Sequence, residues 1–332
     1  MSKSEPKPTK RFVIEPSLEC NILCKFCYHK HKHFYWRNTR KTLDQVKAEI
    51  DAGIARGNNY MDITGGEPTM YPHIVEVVKY ALKRDVKSCI ITNGIVSKKK
   101  AGQLIDAGLD DWLISRHGLE QVHNKITDFP KAWDKQQEFI TFINRHMDFR
   151  FNCVLTKYNQ YTLNDVCSRM AISHPRIINI INFNPHAEWE NHGSQAEDFI
   201  VNFKELDIEE PVRMLERWGI KVNLRYFPMC HVPTDLRRCV CNDLQVVFDP
   251  YEWDYQIQPK TFEAFRKWGV ETSMAVEEKC EPCNQCGLQW ICGGINRNFH
   301  KISNKLYGEI CRPERFPGII DDFYHYRKDQ KL

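Results

Sequence analysis

The first 226 residues of this 332-residue chain predict an α/β fold, a partial (β/α)6 TIM-like barrel with a C-terminal cysteine-rich extension. Two observations predict the barrel and a third predicts the extension. Short apolar segments alternate with amphipathic segments, an order that favours right-handed βαβ units around a parallel sheet. Six such units are present, with a possible seventh strand after them. Beyond residue 227 this alternation gives way to closely spaced cysteines.

The strand-like segments are short runs of apolar and β-branched residues. In chain order they span 11–16, 60–64, 86–92, 111–115, 149–156 and 176–184, with 220–226 as the possible seventh. The segments between them carry apolar residues three or four positions apart, as one buried helix face requires. These helical segments span 42–57, a stretch opening at Pro72, Ser97 to Gly108, 131–146, 161–171 and 208–218.

The helix over 42–57 has the clearest predicted ends. Thr42 and Gln45 have the spacing of a capping box, in which each side chain bonds the other residue's backbone N–H. Gly57 suits the left-handed residue that often follows a helix. Between these ends the apolar stripe consists of Leu43, Val46, Ile50 and Ile54. Such a helix packs one face on a sheet, as the barrel requires.

Composition favours a globular protein in a reducing compartment. Hydrophobic residues make up 42% of the chain, unlike the low fraction that marks disorder. The first ten residues are polar and basic with no apolar segment behind them, so no signal peptide is predicted. No apolar run approaches the roughly 18 to 20 residues of a membrane span. We therefore expect a cytoplasmic protein without a membrane partner.

The charge and the cysteines narrow the class of partner. A net charge of +4 is too small to indicate a nucleic-acid partner by itself. Fourteen cysteines are many, and in a reducing compartment clustered cysteines more often bind metal than form disulfides. A metal-dependent function is therefore the leading expectation.

The unusual residues follow the predicted strands, where the active sites of barrels lie. Cys20, Cys24 and Cys27 follow the first strand within eight residues. Three thiols cannot complete a tetrahedral zinc site, and an iron–sulfur cluster is also normally held by four thiolates. One reading is a structural zinc site completed by a histidine from the sequence HKHKH at 29–33. The other is a catalytic centre with one metal position left open.

The loops after the next two strands favour the catalytic reading. The spacing C-x3-C-x2-C, then Gly-Gly-Glu-Pro at 65–68, then Thr-Asn-Gly at 92–94 resembles the radical SAM superfamily over roughly 11–226. The resemblance implies that the cysteines hold a [4Fe–4S] cluster and that S-adenosylmethionine (SAM) ligates its fourth iron. Reductive cleavage of SAM would give a 5′-deoxyadenosyl radical that abstracts hydrogen from substrate, with electrons from a flavodoxin- or ferredoxin-type donor.

The resemblance also assigns cofactor roles to residues in these loops. Cys20, Cys24 and Cys27 would be the cluster ligands, and Phe26 and Tyr28 would lie near the adenine. Glu67 and its two glycines would meet the methionine amino group, since a carboxylate suits an ammonium and glycine allows close approach. The full predicted SAM-binding set is Phe26, Tyr28, Gly65, Gly66, Glu67, Asn93, Ser115 and Asn159. A serine or asparagine at a strand end is equally common as a turn former.

A second metal site is predicted in the C-terminal part, 227–332, which we expect to form its own domain beside the barrel at 11–226. Cys283, Cys286, Cys292 and Cys311 resemble the ligands of an auxiliary [4Fe–4S] cluster in SPASM/Twitch-type radical SAM enzymes. The match is incomplete, because Asn296 stands where that pattern has a further cysteine. A structural zinc knot is the alternative. The remaining cysteines, Cys230, Cys239, Cys241 and Cys280, would hold another cluster or remain free.

The predicted pocket is polar. Alternation places Asn182 and Asn184 on one face near the end of the sixth strand, and Asn223 with Arg225 on one face of the seventh. Further polar residues are expected in loops of the same rim: Arg116, His117, His123, His186 and Glu188. We take His117, Asn182, Asn184 and Arg225 as candidate substrate contacts. Fixed donors and an arginine suit a hydroxyl-rich or anionic ligand.

Three functions are therefore open. The first is a radical SAM enzyme acting on a polar small molecule, such as a sugar or nucleotide. The second is a SPASM-type maturase of a ribosomal peptide, although few residues precede the first strand, so a separate N-terminal leader-binding domain is not expected. The third is a non-enzymatic zinc or iron–sulfur protein, which leaves the ordered glycine-containing loops unexplained.

Overall fold

Eight parallel strands form one sheet, and their order in the sheet follows the chain. The computed structural model describes residues 11–27, 40–184, 199–241, 277–278, 281–288, 292 and 294–296. The strands are β1 (Arg11–Ile14), β2 (Tyr60–Ile63), β3 (Lys87–Thr92), β4 (Asp111–Ser115), β5 (Phe149–Leu155), β6 (Ile177–Asn182), β7 (Lys221–Arg225) and β8 (Val240–Cys241). The predicted α/β partial barrel is confirmed, including its seventh strand.

Helices cover the outer face of the sheet. They are α1 (Leu43–Ala55), α2 (Ile74–Lys83), α3 (Lys98–Asp106), α4 (Glu120–Thr127), α5 (Ala132–Ile143), α6 (Leu163–Ala171) and α7 (Glu209–Arg217). The capping box at Thr42 and Gln45 is present at the start of α1. No helix in the described part of the chain is long and apolar enough to span a membrane.

Helix α4 and strand β8 belong to the barrel but were not predicted. Helix α4 is short and carries three buried residues, His123, Ile126 and Thr127, of which only one is apolar. Its eight residues contain only two apolar side chains, Val122 and Ile126, which are too few to predict a helix. Strand β8 has two residues, too few to show any period, and it pairs with β7 in parallel. The sheet thus continues past residue 226, where the boundary between the two domains was predicted. That boundary stays a prediction.

The main core lies between the sheet and its helices. On β6, Ile178 and Ile180 point into this core, and on β7 Val222 and Leu224 do the same. The alternate residues of each strand therefore face the inside of the barrel. Two small strands, β9 (Glu277–Glu278) and β10 (Ile295–Asn296), pair antiparallel outside the sheet.

Buried ion pairs fill the barrel near the amino ends of the strands. Arg11 Nη1 lies 2.9 Å from Asp62 Oδ1. Asp111 Oδ2 lies 2.6 Å from Arg150 Nε and 3.1 Å from Arg176 Nη2. Because these charges are paired inside the protein, they close this end of the barrel. The opposite end, where the strands finish, carries the loops of the candidate site.

Candidate active site

The cysteine loop, residues 20–27 after β1, is held from two sides. On one side its backbone N–H groups at Leu23 and Lys25 bond the carbonyls of Thr127 and Ile126 at 3.2 and 2.9 Å. Those carbonyls belong to the end of α4, so the helix that was not predicted supports the predicted metal loop. Within the loop, the N–H of Cys27 bonds the carbonyl of Cys24 at 3.1 Å, which closes a tight turn.

On the other side the loop rests on the two glycines after β2. Gly66 N–H donates to Ser17 O at 3.0 Å, and Glu67 N–H donates to Glu19 O at 2.7 Å. A Cβ on Gly66 would lie 2.1 Å from Glu19 O, nearer than any real contact. Gly65 has φ +122° and equally little room, since its Cβ would lie 2.3 Å from Ser17 O. Both glycines are therefore required by backbone approaching backbone.

The Glu67 carboxylate is buried and fully engaged by the protein itself. It accepts bonds from Thr69 N (3.2 Å), Thr69 Oγ1 (2.6 Å), Thr92 Oγ1 (2.9 Å) and Asn93 N (2.9 Å). Burial raises the pKa of Glu67, while these donors oppose the rise. In this structure the carboxylate joins the loops after β2 and β3. The predicted contact of Glu67 with the amino group of SAM remains a prediction.

Asn93 brings the loop after β3 to the first cysteine. Its Nδ2 donates to Asn21 Oδ1 at 2.7 Å and lies 3.8 Å from Cys20 Sγ. Gly94 has φ +77°, and a Cβ there would meet the Gln136 side chain at 2.7 Å. The Thr-Asn-Gly sequence therefore contacts the cysteine loop directly, which explains why it accompanies the cysteines in the sequence.

Gln136 was not predicted as a site residue, yet it joins two of the loops. It is fully buried on α5. Its Nε2 donates to Asn93 O at 2.7 Å and to Ser115 O at 2.9 Å, and its Oε1 accepts from Arg116 Nε at 2.7 Å. The residue lies in an ordinary helical pattern with no local signal in the sequence. Only the folded arrangement shows its role.

The three thiols suit a metal cluster. Burial raises the pKa of Cys20 to about 12 and that of Cys24 well above its usual value. The negative charge of Glu67 and any charge on a neighbouring thiol raise both further. Cys20 and Cys24 therefore ionise only beside a strong positive charge, and bound metal supplies that charge. The three thiols fit the predicted cluster, and so does the close packing of Gly65 and Gly66 against the segment that leads into them. Among the described residues, no three His, Cys, Asp or Glu side chains are placed so that they could hold a single metal ion.

An aromatic wall stands beside the cysteine loop. Phe26 meets the ring of His117 edge-on, with ring centroids 4.8 Å apart, and it also contacts Phe199. His117 Nδ1 accepts the N–H of Val154 at 3.2 Å, so its proton lies on Nε2. Burial lowers the pKa of His117 to about 3, which keeps the imidazole neutral. His117 therefore offers a neutral N–H donor at the position where a substrate contact was predicted.

Asn159 holds the loops after β4 and β5 together. Its Nδ2 donates to His117 O at 2.7 Å and to Val154 O at 2.8 Å, and its Oδ1 accepts from Thr156 N at 2.7 Å. The side chain is 1% exposed. These bonds give Asn159 a structural role, and the contact with SAM that was predicted for it has no support in this geometry.

A ladder of three asparagines crosses the inside of the barrel. Asn223 Nδ2 donates to Asn179 Oδ1 at 2.8 Å, and Asn179 Nδ2 donates to Asn152 Oδ1 at 2.7 Å. Asn152 pairs in register with Ser115 at the end of β4, and both are partly exposed. The ladder thus reaches Asn152, whose partner on β4 is Ser115, on the inner face of the sheet. Asn152 and Asn179 were not predicted as site residues.

The orientation predicted for Asn182 is corrected. It shares the outer face of β6 with Ile178 and Ile180, and its Nδ2 donates to Tyr226 O at 3.0 Å. Asn182 was predicted to lie on the inner face of β6, but alternation from a strand end does not show which of the two faces is the inner one. Asn184 lies partly buried two residues beyond β6. Arg225 faces the barrel interior with Asn223, as predicted.

Other predicted residues lie elsewhere or outside the described part. His123 is buried on α4 and not in a loop. In the C-terminal part, Cys286 N–H bonds Cys283 O at 3.0 Å, and both Cys283 and Cys292 pack against the main core. The predictions outside the described residues concern Tyr28, the histidines of 29–33, His186, Glu188, Cys280 and Cys311.

In this parallel partial barrel the first strand leads into a three-cysteine loop, and a pair of glycines packs against the segment before it. This combination defines a class of cofactor-dependent enzyme domain. Residues 14–160 match the radical SAM superfamily, and this part of the chain is therefore a radical SAM domain. Domains of this superfamily use a [4Fe–4S] cluster and SAM.

Curated relatives match part of the chain. It is 31% identical over 122 residues to a probable GTP 3′,8-cyclase of Thermococcus kodakarensis, an alignment covering 36% of this chain and 39% of the relative. It is 25% identical over 171 residues to an AdoMet-dependent heme synthase of Nitratidesulfovibrio vulgaris, covering 49% and 46%. The chain thus spans less than half the length of these relatives.

Solved structures share the fold. Native anSMEcpe with bound AdoMet aligns with a TM-score of 0.61 at 16% identity, over 91% of this chain and 97% of that one. Streptococcus suis SuiB aligns with a TM-score of 0.53 at 18% identity, over 65% and 49%. At these identities the likeness concerns the fold alone.

A substitution at Glu67 tests whether its carboxylate joins the loops after β2 and β3. We expect Glu67→Gln to lower the free energy of unfolding by about 1 to 3 kcal/mol, the cost of a buried donor left unpaired. An amide has one acceptor oxygen, so either the Thr69 or the Asn93 N–H loses its partner. Urea unfolding of the metal-free protein measures the change. Glu138→Gln, on the exposed side of α5, is the matched control, and equal values for the two variants would contradict the account.

Proposed function

We propose that this chain is a radical SAM enzyme that holds its [4Fe–4S] cluster on Cys20, Cys24 and Cys27 and acts on a polar small molecule. When bound, the reduced cluster would supply the electron that cleaves SAM, and this cleavage would provide the radical that takes hydrogen from a substrate C–H bond. The observation that carries the proposal is the close approach of Gly65 and Gly66 to the segment leading into the cysteines. It gives a physical reason for the two motifs to occur together.

The chain's own residues would orient the ligands and exclude water. Gly65, Gly66 and the backbone of Glu67 form the surface on which SAM would rest next to the cysteine loop. Phe26 and the neutral His117 would form the apolar wall beside it, with Asn93 close to Cys20. Because the lower barrel is closed by paired charges, a substrate would enter from the carboxyl ends of the strands.

The asparagine ladder supports the polar character of the substrate. It ends at Asn152, the register partner of Ser115, and Arg225 lies on the same inner surface two residues beyond Asn223. Fixed N–H donors with a guanidinium recognise oxygen-rich or anionic groups, as sugars and nucleotides carry. A ribosomal peptide is the alternative substrate, and we propose a cytoplasmic location with a flavodoxin- or ferredoxin-type electron donor in either case.

We further propose an auxiliary [4Fe–4S] cluster on Cys283, Cys286, Cys292 and Cys311. The turn between the first two, closed by the bond from Cys286 N–H to Cys283 O, supports this arrangement. In a cluster with four thiolates no iron is left open, so this site would transfer electrons or shape the pocket. A zinc knot on the same ligands is the competing assignment.

The test measures SAM cleavage by the protein and its stimulation by added candidate substrates. Anaerobically reconstituted protein with dithionite and SAM is expected to release 5′-deoxyadenosine, and zinc binding without SAM cleavage would rule out the enzyme. Nucleotides and sugar nucleotides, added singly, are expected to increase that release, and Asn152→Ala is expected to abolish the increase. Asn164→Ala, exposed on α6, is the control and should keep it. Stimulation by synthetic peptides alone would establish the peptide alternative.

A further inference from the structure

Arg116 is a buried cation without a counter-ion. Its side chain has no exposed surface. Nε donates to Gln136 Oε1 at 2.7 Å, whereas Nη1 and Nη2 have no hydrogen-bond partner among the residues that the structure describes. Burial lowers the pKa of Arg116 to about 9, with the charge of Arg169 as the second cause, so the guanidinium is still charged at neutral pH. Burying such a charge is costly unless an anion accompanies it.

His123 adds a second unpartnered donor in the same place. Its Nδ1 accepts the backbone N–H of His117 at 3.2 Å, so the ring proton lies on Nε2. That Nε2 is buried and has no partner in the described part of the chain. Burial is the largest cause that lowers the pKa of His123, followed by the charges of His117 and Arg116, so the imidazole stays a neutral N–H donor.

The ring of Trp133 is the common neighbour of these groups. Arg116 Cζ lies 4.2 Å from its centroid, the His123 ring lies 6.4 Å from it, and Arg169 Cζ lies 5.9 Å from it. Among the described residues, neither arginine forms an ion pair with a carboxylate. The aromatic face offsets part of a cation's lost hydration but accepts none of the in-plane N–H bonds. The cluster therefore has donors and positive charge in excess, with no acceptor.

We propose that Arg116 and His123 enclose a binding site for a small inorganic anion, with chloride as its natural occupant, beside Trp133. The guanidinium would supply two N–H donors and the charge, and the imidazole would supply the third donor. Arg116 and His123 are 0% and 1% exposed, so the site suits a monatomic ion and not a metabolite. A water molecule would satisfy the donors but would leave the charge uncompensated.

The bound anion would support the candidate active site without touching it. It would fix Arg116, whose Nε orients the Gln136 amide, and that amide holds Asn93 O and Ser115 O in place. Anion binding is thus linked to the loops after β3 and β4. The linkage involves no cluster, SAM or substrate, so the site can be tested in the metal-free protein, independently of the proposed enzyme activity.

The first experiment measures thermal unfolding of the metal-free full chain in sodium chloride and in sodium gluconate at equal ionic strength. An ion that binds only the folded state raises the unfolding temperature and saturates, as mass action requires. We expect chloride to raise the midpoint above that in gluconate, and Arg116→Leu to remove the difference. Arg145→Leu makes the same change at an exposed position and should retain it. Equal midpoints of the wild type in both salts would overturn the proposal.

The second experiment covers the case in which Arg116→Leu does not fold. Wild-type crystals soaked in sodium bromide are expected to show an anomalous peak within contact distance of Arg116 Nη1, Arg116 Nη2 and His123 Nε2. A water molecule without anomalous signal at that position would overturn the anion assignment. So would a carboxylate of the chain bonded to the guanidinium.

Discussion

Replacing Cys20, Cys24 and Cys27 together by alanine is expected to abolish SAM cleavage and to remove about four iron atoms per chain from the reconstituted protein. The three thiols are partly exposed and lie in one loop, and desolvation raises the pKa of Cys20 to about 12 and that of Cys24 well above its usual value. Without metal, Cys20 and Cys24 are therefore neutral side chains in a supported loop. Their removal should therefore change the metal content far more than the stability of the fold.

The reciprocal variant is the control for this result. Alanine at Cys283, Cys286 and Cys292 is expected to remove the auxiliary iron while the cluster of the cysteine loop remains. Iron analysis with Mössbauer spectroscopy counts the clusters in each variant. Complete loss of iron from the first triple variant would contradict two separate sites. Retention of all iron would show that the cysteine loop is not a ligand set.

Gly66→Ala is expected to have the second largest effect, with SAM cleavage reduced by at least tenfold. The added Cβ would lie 2.1 Å from Glu19 O and 2.5 Å from Leu18 O. Both neighbours are backbone atoms, so the collision is relieved only by moving the segment that leads into Cys20. A displacement of this size alters the position of the first thiol relative to the other two.

The matched control is Gly102→Ala on α3. There the nearest atom to an added Cβ is Phe142 Cζ at 4.0 Å, an ordinary contact. Alanine also favours a helix more than glycine does, so the control should be stable and active. Rates of 5′-deoxyadenosine release and iron content compare the two variants. An active Gly66→Ala protein would contradict the close packing of the two loops.

The sequence predicts the barrel well because each strand and most helices carry their own period. The capping box at Thr42 and Gln45 is a local signal with a local physical cause, and the glycines after β2 are recognised by their motif although their cause is a distant backbone contact. The cysteine loop is likewise recognised by its motif. Recognising these features needs no knowledge of distant contacts.

The parts that were not predicted depend on contacts between distant segments. Helix α4 is short and carries few apolar residues, yet its last carbonyls hold the cysteine loop. Gln136 and Asn152 look like ordinary polar residues until α5 and the asparagine ladder place them. Asn182 was assigned to the wrong face because a strand end gives no fixed reference for the alternation. The face that a side chain takes at the end of a strand depends on the pairing register with the neighbouring strand. The sequence alone does not give that register.

The central claim is that the cysteine loop holds a cluster with one iron open to SAM. The most direct measurement is the electron paramagnetic resonance spectrum of the reduced cluster, recorded with and without SAM. The protein to use has alanine at Cys283, Cys286 and Cys292, so that only the cysteine loop contributes. We predict that SAM changes the g values of the signal, because a new ligand binds the open iron. A reduced cluster whose spectrum is identical with and without saturating SAM would contradict the claim.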